Sequence, residues 1–352
     1  MRELHLNLQA TQNSAQFENN FNRLFVQGRI VDSDLERRII RLGKLFATFV
    51  SSCRAPCWDE HLVVTNEISR ITETYLEFSV IRQALLRLVK LSIRGTVDPP
   101  PILFKSNGWL EFLDMFRARN KNVNPALLVD SLTRNQAERI SFLFSLFLPE
   151  QFGGSFGRYP GQMHFLDSWV RSQDYSCRPN ITCLDAACGS GEGSYELAAL
   201  LQKCGVEASR ISISGVTISP LEVFAAAHAY FPHDSQREAQ YRRYIRSIAQ
   251  SGSWARINFM TGDLKSWEPC EKYQIIICNG IIGGPLLHDN KDIEEVLGRL
   301  VTSMHNGGIL LAADRFHDGW KRKFPAQELE GLLRKYGLEI MPISEGVAGV
   351  SR

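Results

Sequence analysis

Two acids, Asp185 and Glu192, bracket the small-residue stretch Ala186-Ala187-Cys188-Gly189-Ser190-Gly191. Glycine at 189 and 191 lets a backbone turn sharply and approach a ligand with no Cβ in the way. An apolar, β-branched run precedes the stretch, and residues 195–201 (YELAALL) read as a helix. Strand, glycine-rich turn and helix open a nucleotide-binding α/β unit. No lysine follows the glycines, which excludes a phosphate-cradling P-loop. Acid at both ends of the turn suits a cationic or hydroxylated ligand. Two ligand classes remain, dinucleotides and S-adenosylmethionine (SAM).

Four features separate them. Position 194 is Ser, where a dinucleotide fingerprint has Gly or Ala. Thr217 ends the second strand, where a dinucleotide site has an acid; its hydroxyl meets a ribose only as a weaker, neutral partner. Thr261-Gly262-Asp263-Leu264 follows the third strand, where SAM enzymes carry an acid that accepts from the adenine amine beside an apolar side chain that packs the ring. Asn306-Gly307-Gly308 marks a late turn into the sheet. Together these favour SAM. Asp185 also has a plain use, accepting backbone N–H bonds to hold the loop.

The elements that must position these residues follow from periodicity. From about residue 180 the pattern predicts strands at 181–185, 211–217, 256–260, 273–278 and 307–313. Helices are predicted at 194–204, 220–230, 238–250, 291–304 and 326–336. This alternation predicts a parallel sheet with helices on both faces and a ligand beyond the strands' carboxyl ends. Residues 1–150 read as a helical domain and 151–352 as the SAM-binding domain. Ser33 and Glu36 fit a capping box ahead of Leu35, Ile39, Leu42, Phe46 and Phe49. One long helix is predicted to carry Ile68, Ile71, Tyr75, Phe78, Ile81, Leu85 and Leu88, a stripe that packs on its own domain or forms a homodimer seam. Further helices are predicted at 107–118, 124–132 and 134–147.

The chain has 352 residues, 44% hydrophobic and 22% charged, with 40 basic against 38 acidic residues. A net charge of +2 gives no pull toward nucleic acid or membrane, and no apolar run spans a bilayer. Arg117, Arg119 and Lys121 read as a solvated helix end. The eight cysteines form no disulfide ladder and no leader is evident, so a reducing cytoplasmic setting is expected. Cys53, Cys57 and His61 recur every four residues, but Pro56 and the lack of a fourth ligand argue against a metal site.

The string from Ala186 to Ala198 resembles the first motif of class I SAM-dependent methyltransferases, and among them the chemotaxis receptor methyltransferases (CheR-type). Ile218-Ser219 with Leu221, Ala225 and Tyr230 is similar to that family's helix after the second strand. Ser155-Phe156-Gly157-Arg158-Tyr159-Pro160 resembles its Phe-Phe-Arg-Asp-Pro element, and residues 275–279 (IIICN) its fourth-strand Cys-Arg-Asn ending. The resemblance spans roughly residues 150–340. It implies a Rossmann-like doubly wound sheet of the class I methyltransferase type, preceded by an all-helical N-terminal domain. It further implies that Glu192 and Asp263 hold SAM, with Leu264 against adenine. Arg158 would lie near the methionine carboxylate or the acceptor, and Asn279 and Gly280 would shape the transfer pocket.

The cofactor set is therefore Asp185, Ala187, Gly189, Gly191, Glu192, Thr217, Ser219, Asp263, Leu264, Asn279 and Gly280. The candidate catalytic residues are Arg158, Tyr159 and His288, with His288–Asp289 and His317–Asp318 as candidate base pairs. The chain departs from the family at Gly193, where a second glutamate is usual, at Thr217, and at Cys278-Asn279-Gly280, which lacks the arginine. Residues 232–254 read as a charged helix where the chemotaxis enzymes insert a β-subdomain. A small-molecule acceptor is expected; a protein glutamate acceptor and a non-catalytic SAM sensor are the alternatives.

Overall fold

A computed structural model describes residues 4–52, 65–115, 124–148, 155–173, 180–249, 256–313 and 324–352. The Cys53/Cys57/His61 stripe, the basic cluster at 117–121 and the His317–Asp318 pair lie outside the described residues. The chain forms two compact units. One comprises residues 1–4, 13–152 and 231–235; the other comprises 5–12, 153–230 and 236–352.

The first unit is helical: α1 (Ser14–Leu24), α2 (Ser33–Ser52), α3 (Asn66–Tyr75), α4 (Phe78–Ser92), α5 (Ile102–Lys105), α6 (Trp109–Met115), α7 (Pro125–Arg134) and α8 (Gln136–Phe147). The α2 cap is Asp32, whose Oδ1 accepts from Leu35 N at 2.8 Å, so the start is one residue earlier than the predicted Ser33 box. The single helix expected through Leu88 is two. The chain breaks at Leu76 and Glu77, where Glu73 Oε2 accepts from the Phe78 amide at 3.3 Å. Phe78, Ile81, Leu85 and Leu88 are buried within this unit. Phe78 packs on Phe112 with ring centroids 5.4 Å apart. Ile68, Ile71 and Tyr75 of the same stripe are half-buried.

Arg139 of α8 is fully buried and closes this unit. Its Nη1 donates to Leu132 O at 3.0 Å and its Nη2 to Val26 O and Gly28 O at 3.2 and 2.8 Å. One rigid fork thereby satisfies the end of α7 and the turn after α1. Burial holds its guanidinium below the usual arginine range.

The second unit is an eight-stranded sheet: β1 (Asn7–Gln9), β2 (Ile181–Asp185), β3 (Ile211–Thr217), β4 (Arg256–Thr261), β5 (Tyr273–Asn279), β6 (Met304–Ala313), β7 (Glu339–Met341) and β8 (Val347–Val350). The order is β1-β4-β3-β2-β5-β6-β8-β7. β2 to β6 run parallel, β1 is antiparallel to β4, and β8 is antiparallel to both β6 and β7. This is the expected doubly wound, Rossmann-like sheet. β1 was not anticipated: three residues pair with β4 from within the stretch read as purely helical. β6 starts earlier than predicted, because the Asn306-Gly307-Gly308 turn is an irregularity inside the strand rather than an entry to it.

Among the described residues, six α-helices flank the sheet: α9 (Pro160–Ser172), α10 (Glu192–Lys203), α11 (Pro220–His228), α12 (Ser235–Ala249), α13 (Asn290–Thr302) and α14 (Ala326–Lys335). Alternate strand residues Leu184, Ile276, Cys278, Leu310 and Ala312 pack with Ile293, Leu297 and Leu300 of α13 and Leu333 of α14. The intervening Ile277 lies under α10, where a Cβ on Gly193 would meet its Cδ1 at 3.2 Å. Strands buried on both faces account for the unbroken apolar run of β5.

Arg139→Ala should lower the stability of the chain by about 3 kcal/mol, since it leaves buried carbonyls without donors. Urea unfolding followed by circular dichroism checks this, with Arg139→Lys recovering only part of the loss.

Candidate functional site

The carboxyl ends of the parallel strands, Asp185, Thr217, Thr261, Asn279 and Ala313, are aligned along one edge by the register. Strand order reverses between β2 and β5, and the crevice outside that switch point is where open α/β sheets bind ligands. The glycine-rich turn fills it. Ala186 N donates to Ile277 O and Cys188 N to Val216 O, at 2.8 and 3.0 Å, so each neighbouring strand holds the bend. Gly191 has φ +91°, and a Cβ there would strike Phe259 at 2.7 Å and Ala226 at 2.9 Å; only glycine fits. Gly189 (φ +51°) differs, since a Cβ there would meet nothing within 4 Å. Gly280 (φ +74°) is similar, with only Tyr159 Oη at 3.7 Å. Two glycines thus expose bare backbone to open space on either side of the switch point, a cradle that fits a nucleoside ligand.

Asp185 is buried and accepts from Ser194 Oγ at 2.8 Å, which ties the strand end to α10. Burial pushes its carboxyl up to about 7, against a smaller opposing effect of the Ser194 bond. The same packing is tight at Gly193: a Cβ would stand 3.0 Å from Asp185 Oδ2 and 3.2 Å from Ile277 Cδ1, so the family's second glutamate would require both side chains to shift.

Glu192, which the resemblance implied holds SAM, has its carboxylate engaged by partners within the chain. Its Oε1 pairs with Arg237 Nη2 at 2.8 Å, and its Oε2 accepts from Ser190 Oγ at 3.0 Å. Arg237 also donates to Ser190 Oγ at 2.6 Å, and Tyr241 Oη donates to Ser190 O at 3.0 Å. All four residues are buried. Arg237 and Tyr241 come from α12, so this helix is fastened directly onto the glycine turn.

The same helix holds the Ser155–Pro160 loop. Phe156 stacks on Tyr244 (4.3 Å, 8°) and sits edge-on to Tyr241 at 4.9 Å. Glu196 accepts from the Gly157 amide. Tyr159 is buried beside Gly280, while Arg158 is half-buried with its guanidinium 5.8 Å from the Tyr159 ring centroid. One turn into α9, fully buried Gln162 exchanges two amide bonds with Asn279 at 2.7 and 3.1 Å. Asn279 Oδ1 also accepts from Ala313 N at 2.9 Å. Asn279 therefore joins β5, β6 and α9 and acts as a brace at the site.

Other predicted residues divide. Ala187 is half-buried against the core, and Ser219 caps α11 by accepting from Glu222 N at 3.4 Å. Thr217 is buried and its hydroxyl donates to the Glu222 carboxylate. Asp263 is exposed just beyond β4, its Oδ1 accepting from Lys265 N at 3.0 Å. Leu264 is buried in the core cluster, and Ile218, beyond β3, is an exposed apolar side chain. His288 is exposed, and Asp289 serves as the α13 cap, accepting from Lys291 N at 2.9 Å. Sequence reasoning missed Gln162, Glu222, Arg237 and Tyr241. The Ser219–Glu222 spacing was the one available signal, a capping box after the second strand.

Residues 155–322 match the family model described as CheR methyltransferase, SAM binding domain. That segment, just under half of the chain, is similar to a SAM-binding methyltransferase domain, and SAM is the cofactor this match gives. No curated protein sequence matches the chain. Among solved structures, the StiE O-methyltransferase segment is 17% identical over 51% of this chain and 52% of its own, with a TM-score of 0.32. The N-methyltransferase NodS from Bradyrhizobium japonicum is 13% identical over 55% of this chain and 95% of its own (TM-score 0.33). The sugar N-methyltransferase KedS8 from a Streptoalloteichus species is 14% identical over 56% and 89% (TM-score 0.35). The chain spans about half the length of the StiE segment. Among the described residues, no group of side chains is arranged to hold a metal and no helix is long and apolar enough to cross a membrane.

Arg237→Ala should cost about 3–5 kcal/mol, because it leaves the Glu192 carboxylate buried without its counter-charge. Glu192→Met/Arg237→Met should cost less than either single change. Urea melts of Glu192→Met, Arg237→Met and the double variant measure the coupling.

Proposed function

We propose that the chain is a SAM-dependent methyltransferase acting on a small-molecule acceptor. The observation carrying this reading is α12. Residues 235–249 form a helix pinned to the glycine turn by Arg237 and Tyr241, in the stretch where a receptor-docking β-subdomain was the alternative. Bound SAM supplies an electrophilic methyl group on a sulfonium. The protein's part is to hold the nucleoside at the Gly189 cradle and to orient the acceptor while excluding water. Tyr159, backed by the Gln162–Asn279 brace, lines the Gly280 side, and Arg158 on the clamped loop is the cation available to an acidic acceptor.

A second reading, transfer to a protein carboxylate, is favoured by the CheR-type match over residues 155–322. Incubation with methyl-labelled SAM and cell extract separates the two: label should enter the small-molecule fraction, whereas a labelled protein band supports the second reading. SAM binding by calorimetry without transfer to either fraction supports a sensor.

Asp185 gives the reading a pH signature. Its carboxyl is raised in the folded chain, so its contribution to stability is complete at acid pH and declines as pH rises from about 4 to about 7. A cationic ligand favours the ionised form, so SAM binding should release a proton and tighten as pH rises from about 5 to about 7. Calorimetry in buffers of different ionisation enthalpy measures the release, and Asp185→Asn should abolish the slope.

A further inference from the structure

The end of β3 carries an acid after all, delivered from the following helix. Ser219 and Glu222 have capping-box spacing, and in such a box the glutamate reaches back to the cap residue's own amide. Here the reach is relayed. Ser219 N donates to Thr217 Oγ1 at 3.4 Å, and the Thr217 hydroxyl donates to Glu222 Oε2. The relay carries the Glu222 carboxylate to the carboxyl edge beside Thr217, at the position where a nucleoside-binding sheet places its ribose-binding acid. Glu222 is half-buried. Ile218, 45% exposed, supplies apolar surface one residue past Thr217.

We propose that Glu222 accepts the ribose hydroxyls of the bound nucleoside, with Thr217 as its positioning residue; this rests on the SAM reading above. An ionised carboxylate offers about four lone-pair sites, and Thr217 takes one, which leaves capacity for both hydroxyls of a vicinal diol. Charge-assisted bonds are about twice as strong as those a lone threonine hydroxyl makes. Burial and the nearby Glu192 charge raise the Glu222 carboxyl, so hydroxyl donors that favour its ionised form gain from meeting it. The bland alternative is a relayed cap with no ligand role.

The test measures affinity for S-adenosylhomocysteine and for its 2′,3′-dideoxy analogue, by calorimetry, on the whole chain. Wild type should prefer the hydroxylated ligand at least tenfold. Glu222→Gln keeps an acceptor for Thr217 and should leave the melting temperature nearly unchanged. It should weaken S-adenosylhomocysteine about 10- to 100-fold, leave the dideoxy analogue unaffected, and so erase the preference. Thr217→Val should lose part of the preference in the same direction. A preference that survives Glu222→Gln, or a loss shared equally by both ligands, overturns the proposal while the cofactor reading stands. Wild type that binds neither ligand overturns both.

Discussion

The site depends on one buried guanidinium. Arg237 meets Glu192 and Ser190 in a region from which water is excluded. An arginine so placed is tolerable only when its counter-charge and acceptors are complete. The requirement works in both directions. The turn after β2 must keep its shape to present Glu192 and Ser190, and α12 must keep its register to present Arg237. Tyr241, one turn further along α12, adds a bond to the Ser190 carbonyl. The bend that faces the ligand is therefore defined by a helix more than forty residues away in sequence, as well as by its own glycines.

That commitment redistributes the acids of the rim. Glu192 neutralises an arginine and Asp185 holds Ser194. Thr217, which cannot carry charge, donates a hydrogen bond to Glu222. Asp263 alone among the expected acids stays exposed, at the far side of β4. The loop bearing Arg158 is fixed by the same helix, because Phe156 is held between Tyr241 and Tyr244. One element thus governs both the cofactor turn and the acceptor-side loop.

How much of this was legible in sequence follows from which interactions are local. The strand, glycine turn and helix at 181–203 were readable because periodicity and glycine placement are short-range properties. The parallel strands were readable because sheets buried on both faces leave unbroken apolar runs. The burial of Leu264 was not legible because its apolar character suits a core and a ring-packing surface equally, and only its place among the α13 and β5 side chains shows how deeply it sits. The break at Leu76–Glu77 was hidden because the apolar spacing runs across it. The missing strand Asn7–Gln9 is too short to show a period. Arg237 and Gln162 were invisible for a different reason: nothing local marks an arginine or a glutamine as buried, since the partner that permits burial lies 45 or 117 residues away.

The same geometry bears on the acceptor. A protein segment that docks by strand addition needs unpaired backbone groups along a sheet edge. Between α11 and β4 the described residues offer a helix instead, with its backbone bonds satisfied internally. What α12 presents outward is side chain: Arg242, Arg243 and Arg246 are exposed. A protein acceptor would have to be recognised there by charge, through long exposed side chains whose contacts are weak and screened by salt. A small acceptor needs none of that surface. It needs a walled pocket at the Gly280 side, where Tyr159 is buried and the Gln162–Asn279 brace fixes the wall. Under the proposed small-molecule reading, these fixed side chains beside the bare-backbone cradle would select the acceptor by shape, and an acceptor that enters whole would meet all of them.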